Sequence, residues 1–275
     1  MEELCEGLKR AKRILVLTGA GISVNAGIPD FRSPENGIYA KHNIDPEDVF
    51  HIESFRHDPV PLYRMMCGLV CTDSGDMRTF QPTKTHRFLK SLQLSGKLLR
   101  VYTQNIDGLD CEGIQLEPER EVVQCHGHLR SIACSDCSRS SAISFTNWLH
   151  DVFAFLAFVD KGGPSMIPGN LKCNGCSGFL KPAVVLFGES ANFPSSIISD
   201  VKNCDLLLVI GTSLTVFPFA AVPSMISSGV PKFVVTKGPV AAGLDAKIIS
   251  EDCDFIFSEI CKQLGFHYWF GGEGL

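Results

Sequence analysis

Two Cys-x-x-Cys pairs, Cys134-Ser135-Asp136-Cys137 and Cys173-Asn174-Gly175-Cys176, hold four of the chain's twelve cysteines. Each pair presents two thiolates from one tight turn, and two such turns complete a tetrahedral set of sulfurs. Four protein ligands leave no open position, so the spacing predicts a structural Zn2+ held by Cys134, Cys137, Cys173 and Cys176. The 35 residues between the pairs exceed the roughly 15–20 of a common ribbon. The surplus, 145–169, carries Trp148, Phe153, Phe155, Phe158 and two prolines, the composition of an inserted lobe. A second set of chemistry-bearing residues begins at Leu15-Val16-Leu17-Thr18-Gly19-Ala20-Gly21. A glycine turn after an apolar strand lets backbone N–H groups approach a pyrophosphate, and a following helix N-terminus favours negative charge. The third glycine of a full dinucleotide fingerprint is replaced by Val24, so the turn alone is a weak signal. His126 follows Val122-Val123 and offers an imidazole that exchanges protons near neutrality. Asn105 and Asp107 follow Leu99 to Thr103, at the strand end where open α/β sheets place their ligands.

Short aliphatic runs bounded by turn residues predict the strands that position these groups. They are 14–17, 99–102, 121–123, 184–187, 206–210, 232–235 and 254–257. Several are apolar throughout rather than alternating, as strands covered on both faces are. Helices are expected at 2–12, 61–69, 85–94, 194–202, 219–227 and 258–264. This alternation predicts an α/β fold: a doubly wound Rossmann-like parallel sheet with a smaller zinc-binding and helical domain. Segments 1–35, 82–127 and 182–275 form the expected Rossmann-like domain. The helical insertion 36–81 and the zinc-binding insertion 128–181 form the small one.

The 275 residues are 45% hydrophobic and 20% charged, which excludes a disordered chain, a collagen and a coiled coil. A net charge of −5 argues against a nucleic-acid binder, and no basic cluster lies between the cysteine pairs. The longest apolar run, Val152 to Val159, is far short of the ~20 residues a membrane span needs. The N-terminus lacks a signal-peptide layout. Without a secretory signal, Cys5, Cys67, Cys71, Cys111, Cys125, Cys204, Cys253 and Cys261 read as small, reduced, apolar residues.

The glycine turn continues as Gly27-Ile28-Pro29-Asp30-Phe31-Arg32-Ser33. Together with the preceding Gly-Ala-Gly-Ile-Ser, it resembles the opening signature of the sirtuins, the NAD-dependent protein deacylases. Further blocks agree in order: Tyr102 to Leu109 (Tyr-Thr-Gln-Asn-Ile-Asp-Gly-Leu), His126-Gly127, Phe187-Gly188-Glu189, and Gly211-Thr212-Ser213-Leu214-Thr215-Val216. The resemblance covers roughly Ala11 to Leu264, and its spacing is similar to the eukaryotic-type branch.

That resemblance implies NAD as a consumed co-substrate, with no hydride transfer. The acyl-lysine oxygen attacks the ribose as nicotinamide leaves, giving an alkylimidate. His126 takes a proton from a ribose hydroxyl, which attacks the imidate carbon, and water then releases lysine and O-acyl-ADP-ribose. By the same resemblance Asn105 orients ribose or water, while Asp107 and the Ile28 backbone hold the nicotinamide carboxamide. Asp30 braces the loop, Phe31 covers the ribose, and Arg32 engages phosphate or steadies the loop. Gly19, Ala20, Gly21, Gln104, Ile106, Gly211, Thr212, Ser213, Thr236, Lys237 and Cys253 complete the expected NAD contacts. Val185, Phe187, Gly188, Glu189, Leu214 and Val216 are the expected peptide edges, with Val185 and Phe187 lining the acyl-lysine tunnel.

Three positions depart from the family pattern. Ala183 stands where Asp often follows Lys-Pro. Thr236 replaces an Asn expected at the adenosine ribose. Glu251 stands where Gly is common. The Thr236 change bears on NAD affinity more than on the chemistry. The expected partners are acylated-lysine proteins, with histones as candidate substrates, no membrane, no direct nucleic acid and an oligomeric state left open; the expected compartment is cytoplasm, nucleus or both. Two alternatives remain at this point: a mono-ADP-ribosyltransferase using the same pocket, and a catalytically weak binding module that keeps the fold.

Overall fold

The computed structural model describes residues 1–30, 46–191 and 193–266. The chain divides into two compact units, one of 1–38, 80–125 and 191–275, the other of 39–79 and 126–190.

The larger unit is built on six parallel strands. They are β1 (Ile14–Thr18), β2 (Leu98–Thr103), β3 (Val122–Gln124), β7 (Leu206–Ile210), β8 (Lys232–Val235) and β9 (Lys247–Ile249). Their order, β3-β2-β1-β7-β8-β9, reverses direction between β1 and β7. Crevices outside the carboxyl ends of strands at such a switch point are where open α/β sheets bind ligands. β1 and β7 are buried along their whole length, and their side chains alternate between two cores. Ile14, Val16, Leu208 and Ile210 enter one with Phe88, Phe257 and Ile260. Leu15, Leu17, Leu207 and Val209 enter the other with Ile197, Phe219 and Val222. This is why those strands read as unbroken apolar runs.

Segment 254–257 corrects the reading as a strand. It lies in the helix Cys253–Leu264, N-capped by Asp252, whose side chain accepts the Phe255 N–H at 3.0 Å. Cys253, Ile256, Phe257, Ile260 and Cys261 are buried at helical spacing. The Phe257 ring stacks on Phe88 of the helix Lys84–Leu94, with centroids 4.3 Å apart. The three-residue strand β9 is too short to carry a pattern. Residues 219–227 form one 3-10 turn and the short helix Val222–Met225.

The smaller unit carries a three-stranded antiparallel sheet in the order β5-β4-β6, from β4 (Gly127–Cys134), β5 (Ser140–Ser144) and β6 (Leu180–Val184). The expected strand at 184–187 is therefore corrected: the strand ends at Val184, and Leu186–Glu189 turns back. β6 pairs with β4, so segment 182–190 lies with the smaller unit rather than with the NAD-binding domain that 182–275 was expected to form. The helix Phe145–Asp160 covers this unit with Phe145, Trp148, Leu149, Val152, Phe155 and Leu156 on its buried face. Trp148 Nε1–H and Tyr63 O–H both donate to the Leu180 carbonyl, at 3.2 and 2.8 Å. Among the described residues no helix is long and apolar enough to cross a membrane.

Candidate functional site

The glycine turn owes its composition to a close approach of two backbones. Gly19 N–H donates to Ile210 O and Gly21 N–H to Gly211 O, at 3.0 and 2.9 Å. A Cβ on Gly19 would lie 2.6 Å from Thr212 Cβ, and one on Gly21 would lie 2.7 Å from Gly211 Cα. Gly211 itself has φ +64, and its Cβ would lie 2.6 Å from Ile22 N. The turns after β1 and β7 are thus pressed together at the switch point, with no room for side chains between them. Two 3-10 turns, Ala20–Ile22 and Val24–Ala26, follow β1. The α-helix expected there is absent because Gly27, at φ +90, ends the second turn.

The loop after β2 lies against the same turn. Gln104 N–H donates to Thr18 O at 3.0 Å, and its Oε1 accepts from Thr212 Oγ1 at 3.0 Å. Gln104 Nε2 is buried and makes no hydrogen bond. Such an orphan donor is the feature a bound polar ligand would satisfy. Asn105 is 8% exposed; its Nδ2 donates to Gly19 O at 3.2 Å, and its backbone N–H donates to Thr103 Oγ1 at 3.0 Å. Asp107 accepts from Ser23 Oγ at 2.6 Å and from Leu109 N–H at 2.9 Å. Ile106 is half-buried beside it. Ile28 N–H donates to Ser23 O, which holds the end of the glycine segment, and Asp30 is half-buried. Phe31 and Arg32 lie outside the described residues.

Thr236 is buried at the end of β8, where its N–H donates to Ile249 O. Lys237 is exposed and pairs with Asp252 at 3.2 Å. Cys253 turns its thiol inward onto Val235 O, and burial pushes that thiol up to about 12. Only its backbone is free to face a ligand. Cys125 is likewise packing: it is buried, and burial pushes its thiol up to about 12. All eight cysteines outside the two pairs are buried, and none forms a disulfide.

In the smaller unit His126 stands just before β4, and its carbonyl accepts the Val185 N–H at 2.9 Å. Gly127, at φ +80, has no space for a side chain because the Ala183 carbonyl fills it. Val185 is half-buried and Phe187 is 37% exposed. Phe187 is stitched on both sides, donating to Phe50 O and accepting from Ile52 N–H. Gly188, at φ +83, completes the turn that leads to Glu189. Glu189 Oε2 accepts from Lys181 Nζ at 2.9 Å and from Leu186 N–H at 2.8 Å. That carboxylate is a brace for its own turn. In the larger unit Leu214 is 1% exposed and part of the core, so it offers a ligand only its backbone. Val216 is half-buried, and Ser213 Oγ lies 3.0 Å from Thr215 Oγ1.

The four paired cysteines converge, with their sulfurs all within 4.8 Å of one another. Cys134 and Cys176 Sγ are 3.4 Å apart, and Cys137 and Cys173 Sγ are 3.8 Å apart. Tetrahedral Zn–S bonds of about 2.3 Å place sulfurs about 3.8 Å apart, so the set fits Zn2+. Asp136 N–H points at Cys134 Sγ and Gly175 N–H at Cys173 Sγ, each at 3.4 Å. The Gly175 N–H bond, with further N–H and S–H donors, pulls the Cys173 thiol down to about 7.

One buried group escaped sequence reasoning. Asp110, 1% exposed, accepts from Thr103 Oγ1 at 2.7 Å and from Thr18 Oγ1 at 3.3 Å. It lies near Asp107 and His86, the ligating atoms of the three falling within 4.8 Å of one another. Burial, and then the charge of Asp107, push Asp110 up to about 7. Burial drives His86 down to about 4, against the pull of Asp107 and Asp254. Its Nδ1 accepts the Thr83 N–H, and its Nε2 is buried without a partner. The only hint in the sequence is the Asp107-x-x-Asp110 spacing.

A parallel sheet with a glycine lock at its switch point, polar side chains gathered at the ends of β1 and β2, and a four-cysteine cluster that fits Zn2+ define an α/β nucleotide-binding class with a zinc module. The chain belongs to the Sir2 family, whose model matches residues 19–218. It is 36% identical to the NAD-dependent protein deacetylase HST2 of Candida albicans, over 96% of this chain and 76% of that protein. It is 35% identical to human NAD-dependent protein deacetylase sirtuin-1, over 98% of this chain but only 34% of that protein. Among solved structures it is similar to a Sir2 histidine-to-alanine variant with a deacetylated p53 peptide and 3'-O-acetyl ADP ribose. That likeness has a TM-score of 0.76 and 27% identity, and covers 97% of this chain and 99% of that one. A second structure, described as a basis for the mechanism and regulation of Sir2 enzymes, gives a TM-score of 0.73 at 28% identity, over 96% of each chain.

Two predictions follow from the geometry of these groups. The purified chain should carry about one zinc per molecule by metal analysis, and Cys173→Ser should lower both zinc content and melting temperature. A metal-free chain with unchanged melting would contradict the assignment. Asp110 holds its proton more tightly folded than unfolded. Its stabilising contribution is therefore full below the ordinary value of 3.8 and is lost as pH rises to about 7. His86 works in the opposite sense, losing stability as pH falls from 6.5 towards about 4. In a melting series, Asp110→Asn should gain on the wild type as pH rises to about 7 and then run parallel to it. A difference that stays constant with pH would mean that folding does not shift the titration of Asp110.

Proposed function

We propose that this chain is an NAD-dependent protein-lysine deacetylase that moves the acyl group of acyl-lysine onto ADP-ribose and releases nicotinamide. The observation that carries the reading is the unsatisfied Gln104 Nε2, in the loop after β2 that also carries Asn105 and Asp107 and packs on the glycine turn. NAD, when bound, supplies an ADP-ribosyl group activated by loss of nicotinamide. Asp107 and the Ile28 backbone hold the carboxamide, and Asn105 orients ribose or water. Thr212, Ser213 and Thr236 line the path of the adenosine half. His126 accepts a proton from a ribose hydroxyl, a role for which imidazole is the side chain best suited near neutral pH. Val185 and Phe187 are the proposed lining of the acyl-lysine channel, and segments 185–189 and 213–216 are each proposed as an edge for an extended peptide. Phe31 covers the ribose and Arg32 steadies the loop. The zinc takes no part in the chemistry and holds the two cysteine turns together. Acetylated proteins, histones among them, are the substrates, in the cytoplasm, the nucleus or both.

An acetyl-lysine peptide incubated with and without NAD, and followed by mass spectrometry, tests this reading. Deacetylated peptide and O-acetyl-ADP-ribose should appear in equal amounts and only with NAD, and His126→Ala should slow both by about 10²–10⁴-fold. ADP-ribose attached to a protein, with the acetyl group retained, would replace the deacetylase with a mono-ADP-ribosyltransferase.

A further inference from the structure

Asp110 is an expensive residue in its place. It is 1% exposed, and burying a carboxyl is costly unless its partners repay it. Its partners are the last residues of two central strands. Thr18 ends β1 immediately before Gly19, and Thr103 ends β2 immediately before Gln104. The Thr103 hydroxyl donates to Asp110 Oδ2, which leaves its lone pairs for the Asn105 N–H it accepts. Asn105 in turn donates from Nδ2 to the Gly19 carbonyl. One carboxyl therefore sets the hydroxyl rotamer on which the Asn105 backbone rests. It also fixes the strand end from which the glycine turn departs.

The same carboxyl is near Asp107, which holds Ser23 through a 2.6 Å hydrogen bond. The titratable groups facing Asp110 are Asp107 on its own loop and His86 on the helix Lys84–Leu94. Behind His86 stands Asp254 of the helix Cys253–Leu264, which accepts from the Thr85 N–H and hydroxyl at 2.8 and 2.6 Å. Burial keeps His86 neutral down to about 4, so it brings no positive charge to the two carboxyls beside it near neutral pH.

We propose that Asp110 is a positioning residue for the nicotinamide end of the NAD site, acting on Asn105 through the hydroxyl of Thr103, on the glycine turn through that of Thr18, and on Asp107 by direct proximity. The proposal rests on the NAD-binding reading above and deepens it. Asp110 touches no ligand itself. Its work is to keep the Asn105 amide and the Asp107 carboxylate in one arrangement, while the adenosine half, around Thr212 and Thr236, does not depend on it. The protonation behaviour of Asp110 agrees with this role. A carboxyl that holds its proton up to about 7 adds no negative charge of its own to the buried network below that pH.

The split between the two halves of the ligand gives the test. Titration calorimetry is run with NAD and with ADP-ribose, which lacks nicotinamide, on the full chain and on Asp110→Ala, Asp110→Asn and Thr103→Val. Asp110→Ala and Thr103→Val should weaken NAD at least tenfold and ADP-ribose less than twofold. Asp110→Asn, which keeps one acceptor, should recover most of the NAD affinity. If Asp110→Ala does not fold, Thr103→Val carries the test alone. Equal losses for both ligands would reduce Asp110 to a general structural role and overturn the proposal, as would unchanged NAD binding. A wild-type chain that binds neither ligand would overturn the NAD reading itself and this proposal with it. A wild-type chain that binds both, with no split in the variants, would overturn this proposal alone.

Discussion

Everything at the site depends on how closely the chain leaving β1 passes the chain leaving β7. The two turns are in backbone contact at Gly19, Gly21 and Gly211, at distances a single methyl group would violate. Strand order makes this inevitable. β1 and β7 are neighbours at the reversal of the sheet, so both chains exit the same edge side by side. The Gly19 and Gly21 N–H groups are satisfied by the Ile210 and Gly211 carbonyls, and the Gly211 N–H by Val235 O of β8, rather than by water. The glycines here answer first to the protein's own backbone, which differs from the usual account in which the second glycine admits a pyrophosphate.

A contact that tight needs a stiff floor, and the floor is polar. Thr18, Ser23, Thr103, Asn105 and Asp110 are all buried, and each hydrogen-bonds another member of the group or the glycine turn. Each such bond is worth only about 1 kcal/mol net, while an unmade one costs about 1–3 kcal/mol. The network therefore contributes less to overall stability than to uniqueness: few other arrangements satisfy every member. Gln104 Nε2 is the exception, a buried donor left over at the place where a ligand would meet the loop.

Much of this was legible in the sequence. β1, β7 and β8 show as apolar runs because both faces of the parallel sheet are covered. The cysteine turns show because metal spacing is rigid, and their sulfurs do converge. What was missed has physical reasons. Asp254 to Phe257 looks like a strand because Phe-Ile-Phe is rich in β-forming types, yet the Asp252 cap and burial at Ile256 and Ile260 make it a helix. Val184 to Phe187 looks like one strand, yet the Glu189 carboxylate captures the Leu186 N–H and turns the chain. β4 and β5 carry Ser and Arg on their exposed faces and have no apolar run to find. Asp110 was invisible because a buried acid is recognised only by what surrounds it.

The most direct test of this account is the NAD affinity of Gly211→Ala, measured by calorimetry beside its circular dichroism. The added Cβ meets Ile22 N in a backbone conformation that alanine resists. The account predicts NAD binding weakened by at least about tenfold, equivalent to 1.4 kcal/mol, with the secondary structure kept. Wild-type affinity with unchanged melting would mean that the turns can part without cost, and that the glycine contact is not what holds the site.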